Sequence, residues 1–259
     1  MAPPTLLNSP SGTLTPEPLT RAAFAPFGTA IIPPLPRTQT TPPNPLSSHP
    51  THDSVPAPVA ANQLSALKYS PISPLLDTYS QCPSGIPSEA RMSMFSCFPR
   101  TLRTGSIHKS GSNSSGAQGR GLVFDVGILE RHPFTTQTFS PLDLSATESE
   151  QTYYLVIVAP TLKGQFATAT TETGTQISVA DPPDLSRMKV FVARGNQAVT
   201  YGAGTWHAPM VVVGSRRVDF LVVQFVNGVA EEDCQEVCFA EGIVVDLTEK
   251  NGERVRAKL

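Results

Sequence analysis

Two stretches of this chain concentrate side chains able to do chemistry. The first is Leu129-Glu130-Arg131-His132-Pro133-Phe134-Thr135-Thr136-Gln137. Side chains alternate faces along a strand, so Glu130 and His132 point the same way. Five residues on, Gln137 can return on the next strand toward the same cavity. A carboxylate, an imidazole and an amide oxygen converging in this way suit a metal site or an acid–base pair. The competing reading is a plain exposed strand face. The polar residues interrupt an otherwise apolar run, and that favours function.

The second stretch is GNQAVTYGAGTWHAP, Gly195 to Pro209. Gly195 and Gly204 offer turn conformations that other residues resist. His207 stands beside the only tryptophan, Trp206, and shares the segment with Tyr201, while Pro209 fixes the exit. A lone histidine in a sheet is commonly structural; its aromatic company singles His207 out. Asp219, after Arg216 and Arg217, falls inside the apolar run VDFLVV. A carboxylate buried there needs a partner, and a salt bridge to arginine is at least as good a reading as catalysis. No GxSxG elbow, phosphate-binding GxxxxGK[ST] loop, GxGxxG turn or HExxH pair occurs, which removes the usual serine-hydrolase, nucleotide and zinc-protease readings.

The elements that must position these residues read as short strands. Leu122–Leu129, Tyr153–Ala159, Met188–Ala193, Val211–Val213 and Val218–Val226 are apolar and rich in β-branched residues, with Gly, Pro, Asn and Asp between them. Upstream, Thr20 is placed to cap a helical turn through Arg21–Phe24, Gly28 turns the chain into a strand Thr29–Ile32, and Met92–Phe98 is another strand. This pattern predicts an all-β sandwich or barrel. Two low-complexity stretches near 33–60 and 101–121 have too few large apolar residues to pack and read as flexible insertions; His108 reads as an exposed loop residue in the second. A third polar stretch, Lys163–Asp184, reads the same way. Residues 1–13 are expected to be flexible, 14–240 to form one domain, and 241–259 to be a tail.

Bulk properties narrow the function classes. The chain has 259 residues, 39% hydrophobic and 15% charged, and 26 prolines, twenty of them before Thr101. Net charge is −2 with no basic block, so nucleic acid is not an expected partner. No run of 18 apolar residues suggests a transmembrane helix, and the start lacks the basic and apolar regions of a secretory signal. Cys82, Cys97, Cys234 and Cys238 lack a second Cys/His pair at zinc spacing and read as reduced thiols. The final tripeptide, Ala257-Lys258-Leu259, is one conservative change from a peroxisomal address. Peroxisome or cytoplasm is therefore the expected location.

The block LERHPFTTQTFSPL (Leu129–Leu142) resembles the most recognisable stretch of the ureidoglycolate lyase family, and through it the chain resembles the cupins. GNQAVTYGAGTWHAP is similar to that family's second signature, and RVDFLVV (Arg217–Val223) to the strand after it. LTRAAFAPFGTAI (Leu19–Ile31), ANQLSALKYSP (Ala61–Pro71) and DCQEVCFA (Asp233–Ala240) extend the resemblance from about Leu14 to Ala240. Two departures stand out. Leu64 replaces a family glycine, and Glu130-x-His132 stands where many cupins have two histidines.

The resemblance implies a cupin-like double-stranded β-helix or jelly-roll barrel with a few short helices. It implies elimination of urea from ureidoglycolate to give glyoxylate. It also implies a homodimer and a divalent metal, nickel among the candidates, held by some of Glu130, His132, Gln137 and His207. On that reading Glu130, His132 and His207 are catalytic, Gln137 and Tyr201 bind substrate oxygens, and Lys68 or Arg91 meets the carboxylate. Two alternatives use the same residues. One is a metal-dependent amidohydrolase releasing ammonia; the other is a binding module for a small acid that turns nothing over.

Overall fold

A computed structural model describes residues 2–43, 55–107, 119–146, 151–239 and 242–248. Two sheets position the site. The first, with ten strands, runs in the order Gln176–Ala180, Phe166–Thr170, Thr5–Leu6, Gln235–Phe239, Ile128–Arg131, Trp206–His207, Tyr153–Ala159, Lys189–Ala193 and Glu17–Pro18, with Val211–Val213 also paired to Tyr153–Ala159. The second, with five strands, runs Gly28–Ile31, Ala198–Tyr201, Gln137–Pro141, Val218–Val226 and Glu89–Cys97. A four-stranded sheet and a hairpin of Val59–Ala61 with Ala66–Lys68 complete the described strands. The architecture is all-β and cupin-like. Among the described residues the strands form packed sheets with free edges and do not close into one barrel.

Alternation decides the layering. Tyr154, Val156 and Val158 join Phe139, Val199, Tyr201, Phe220 and Val222 in the core between the two main sheets. Leu155, Ile157 and Ala159 of the same strand face the other way, packing with Leu129, Trp206, Phe124 and Val245. A strand buried on both faces needs apolar residues at every position, and YYLVIVA supplies them. At roughly 1.5–3 kcal/mol for each large side chain buried, this strand anchors both cores.

The expected Tyr153–Ala159, Val211–Val213 and Val218–Val226 strands form with those bounds. Thr20 caps the Arg21–Phe24 turn by accepting from the Ala23 N–H at 3.2 Å. Three expectations need correction. The Leu122–Leu129 run is two strands, Gly119–Asp125 and Ile128–Arg131, in different sheets. The polar Lys163–Asp184 stretch is no loose insertion: Phe166–Thr170 and Gln176–Ala180 make a hairpin at the edge of the large sheet. Within residues 1–13, Thr5–Leu6 is inserted between Phe166–Thr170 and Gln235–Phe239. Backbone pairing satisfies N–H and C=O groups whatever the side chains, so polar composition did not exclude a strand. His108 and the Ala257-Lys258-Leu259 tripeptide lie outside the described residues.

Asn62, Gln63 and Leu64 turn the hairpin with φ of 48°, 55° and 71°. Leu64 is 73% exposed, so its side chain gains little packing. A side chain in this left-handed region costs about 1–2 kcal/mol, against about 0.5–1 kcal/mol of extra chain entropy lost by a glycine. Leu64→Gly is therefore expected to raise Tm by about 2–4 °C, measured by thermal unfolding. An equal or lower Tm would refute the strain argument.

Candidate active site

The site lies between the two main sheets and starts from one register. Glu130 is directly opposite His207 on one side and Glu236 on the other. Opposed residues of an antiparallel pair share a face, and that face is the one carrying Val158, which is opposite His207 on the next strand. Glu130 Oε1 is 3.4 Å from His207 Nε2. His132 follows the strand end, and its ring lies 5.6 Å from that of His207, centroid to centroid. The ligand atoms of Glu130, His132 and His207 all lie within 4.8 Å of one another. The two signature stretches are stitched together by Gly204, whose N–H donates to the His132 carbonyl at 2.8 Å and whose φ of +75° favours glycine. Gly195 is required for another reason: a Cβ there would collide with the Leu144 carbonyl.

Hydrogen bonds fix both imidazole tautomers. His207 Nδ1 is 2.9 Å from the Thr205 carbonyl, and His132 Nδ1 is 2.6 Å from the Asp233 carbonyl. A carbonyl only accepts, so each Nδ1 carries the proton and each Nε2 presents a lone pair to the site. The His132 Nε2 is buried without a partner. His207 Nε2 faces Gln137 Oε1 at 3.2 Å as well as Glu130. A buried polar atom left unpaired costs about 1–3 kcal/mol, and a lone pair facing two oxygens is repulsive. A bound cation relieves both conflicts, whereas a proton on His207 relieves only the second.

The donor set fits a divalent cation: two imidazole nitrogens, a carboxylate and an amide oxygen are ordinary ligands. The ligand atoms of Glu130, His132 and His207, within 4.8 Å of one another, are near enough that these residues would hold such an ion among them. Burial opposes ionisation of Glu130, but the adjacent His207 and His132 imidazoles outweigh it and hold its carboxyl below the usual range. Burial, with His207 beside it, pushes His132 below the usual imidazole range despite the Asp233 carbonyl. Its Nε2 is thus a free lone pair at neutral pH.

Gln137 enters from the five-stranded sheet. Its Nε2 donates to Gln224 Oε1 at 2.6 Å, which turns Oε1 toward His207. Arg91 is directly opposite Gln224 and shares its face. Its ion pair with Glu89 is exposed on both sides and worth about 0–1 kcal/mol, weak enough for an incoming carboxylate to displace. Tyr201 lies flat on His207, ring centroids 3.8 Å apart at 11°; burial, with Tyr154 and Glu130, keeps its phenol protonated far above neutral pH.

Not every residue singled out above is gathered here. Trp206 points to the opposite face, where Nε1 donates to the Asp181 carbonyl and the Arg131 guanidinium lies 4.8 Å above the ring. Lys68 is exposed on the separate hairpin, and among the described residues no hydrogen bond or ion pair joins it to the cluster. Asp219 pairs with Arg217, the structural reading. All four cysteines are free thiols. Two site contributors escaped the sequence reading. Gln224 had a signal, a lone amide at an inward position of VDFLVVQFV. The Asp233 carbonyl had none, being backbone.

With this geometry in view, comparisons with known proteins agree on one family. A family model described as Ureidoglycolate lyase matches residues 11–246. The ureidoglycolate lyase of Schizosaccharomyces pombe is 33% identical over 217 residues, 84% of this chain and 86% of the relative. That of Saccharomyces cerevisiae is 32% identical over 188 residues, 71% and 80% of the two chains. That of Pseudomonas syringae pv. syringae is 32% identical over 122 residues, 47% and 55%.

Proposed function

We propose how these side chains divide the work from one premise: the chain belongs to the ureidoglycolate lyase family and is a lyase that releases urea and glyoxylate from ureidoglycolate. The reaction transfers one proton overall. The substrate hydroxyl loses it, the carbon–oxygen bond becomes a carbonyl, the carbon–nitrogen bond breaks, and the departing urea nitrogen takes a proton. Glu130 is the group we assign to that transfer. It is held ionised, and its side chain is 19% exposed against 1% for His207, so it alone of those two reaches both solvent and substrate. Arg91 receives the substrate carboxylate. The Gln224 amide nitrogen, left free by its acceptor role toward Gln137, is aimed at a substrate oxygen. Tyr201 keeps the His207 ring in plane.

The observation that carries this reading is the convergence of Glu130, His132 and His207 on one buried point with an unpartnered Nε2. His132, His207, Glu130 and Gln137 would hold a divalent cation there, with nickel one candidate. When bound, such an ion polarises substrate oxygens and lowers the cost of negative charge on them. The test is to follow glyoxylate, urea and ammonia together from fresh ureidoglycolate. Glyoxylate with equimolar urea and no ammonia is expected. Ammonia in place of urea would favour the amidohydrolase, and bound substrate without product would favour a binding module.

Two finer readings accompany this one. We propose a homodimer, supported by the exposed Met92 and Met94 on the outward face of the Glu89–Cys97 edge strand; a monomeric mass in light scattering would reject it. We also propose that Ala257-Lys258-Leu259 directs the protein to peroxisomes. Deleting Leu259 should then disperse the puncta of a fluorescent fusion made at the N-terminus, and unchanged puncta would reject the signal.

A further inference from the structure

We propose that Tyr79 and the Asp233 carboxylate are positioning residues for His132: they hold the carbonyl that sets where the His132 Nε2 lone pair points. This rests on the reading above that His132 acts through Nε2. The ring of His132 follows a strand end, so no ladder fixes it, and among the described residues the hydrogen bond its ring makes is to the Asp233 carbonyl at 2.6 Å. What holds Asp233 therefore holds the ring.

Asp233 ends the four-residue helix Ala230–Asp233. Its carboxylate accepts from the Tyr79 hydroxyl at 2.6 Å, the Asn227 N–H at 2.8 Å and the Gly228 N–H at 2.8 Å. The loop is thus wound around this carboxylate. Tyr79 is 2% exposed, and its own segment is tied to the turn that carries His132 and Gln137. Thr78 N–H and hydroxyl both donate to the Phe134 carbonyl, at 2.8 and 3.0 Å. Leu76 N–H donates to the Thr136 hydroxyl at 3.0 Å, and the Tyr79 and Phe134 rings are 5.6 Å apart. Tyr79 is the strut between the turn bearing His132 and the loop bearing its acceptor. Burial and the adjacent Asp233 push its phenol upward, so it remains a donor across the working pH range.

A second anchor of the same loop provides the control. Burial would raise the Glu232 carboxyl, but donors from Ser84 and Asn227 bring it down to about 2. The Ser84 N–H, the Ser84 hydroxyl and the Asn227 amide approach it at 2.8, 2.7 and 2.7 Å. Ser84→Ala loosens the loop without touching the Tyr79–Asp233 bond.

The experiment compares Tyr79→Phe, Asp233→Asn and Ser84→Ala in the full chain. It measures Tm, the Kd of Ni²⁺ for chelator-stripped protein by calorimetry, kcat and KM, and the His132 ring tautomer by nitrogen NMR. All three variants should lower Tm. Tyr79→Phe and Asp233→Asn should also weaken Ni²⁺ about 10–100-fold, lower kcat more than they raise KM, and mix the His132 tautomers. Ser84→Ala should leave the last three as in wild type. An unchanged His132 tautomer in both Tyr79→Phe and Asp233→Asn would overturn the proposal, as would equal changes in Ser84→Ala. If wild type binds no Ni²⁺ while the tautomer still shifts in Tyr79→Phe, the cation reading fails and the positioning role stands.

Discussion

His132→Ala lowers kcat on ureidoglycolate by about 10²–10⁴-fold, the size typical of losing a positioned acid–base or ligand group, and leaves a folded protein. The two halves of this expectation have separate causes. Activity falls because His132 supplies one of the ligand atoms of the cluster, those of Glu130, His132 and His207 lying within 4.8 Å of one another. Stability survives because two terms oppose each other. Truncating a buried ring leaves a cavity, at a cost of a few kcal/mol. The same change removes a buried Nε2 that has no partner, recovering about 1–3 kcal/mol. Steady-state kinetics and thermal unfolding on one preparation check both halves. Turnover equal to wild type would reject the role of His132, and loss of the folded transition would show that the ring is structural first.

Exhaustive chelation should abolish turnover, and adding back a divalent cation should restore it. The argument is electrostatic. With both Nδ1 protons given to backbone carbonyls, two lone pairs and a carboxylate converge beside the Gln137 amide oxygen. A cation converts that repulsion into bonding and also stabilises the fold. At a free concentration of about 100 times Kd the gain is about 2.7 kcal/mol, or about 5–10 °C in Tm for a chain of this size. His132→Ala should lose most of that shift. Activity unchanged by chelation would leave the alternative, a protonated His207 donating to Glu130 and Gln137.

Much of this was legible without coordinates, because it depended on local rules. Strand alternation is a property of the backbone and pointed to Glu130 and His132 together, although His132 lies one residue past the strand end. The apolar runs at Tyr153–Ala159 and Val218–Val226 had to be strands because nothing else buries them. Thr20 capped its turn as its type predicts. The pairing of Leu129–Leu142 with Gly195–Pro209 as one site followed from resemblance, and the register of Glu130 against His207 gives it a physical basis.

Other features had no local signature. Trp206 and His207 are neighbours in sequence and therefore on opposite faces of a strand; only the packing of both sheets settled which of them faced Glu130 and His132. Lys68 and Arg91 were equal candidates by charge, and only the fold shows that Arg91 is opposite Gln224 while Lys68 is on a separate hairpin. Phe166–Thr170 is polar enough to pass for a loop, yet its backbone found partners in a hairpin and in Thr5–Leu6. The orientation of His132 depends on a carbonyl 101 residues away and on a phenol beyond it. Sequence determined which faces were apolar and which groups could react, since those follow from residue type and strand period. Tertiary structure alone decided which lone pairs meet, because direction at a site is set by backbone atoms and distant donors that every sequence carries and none displays.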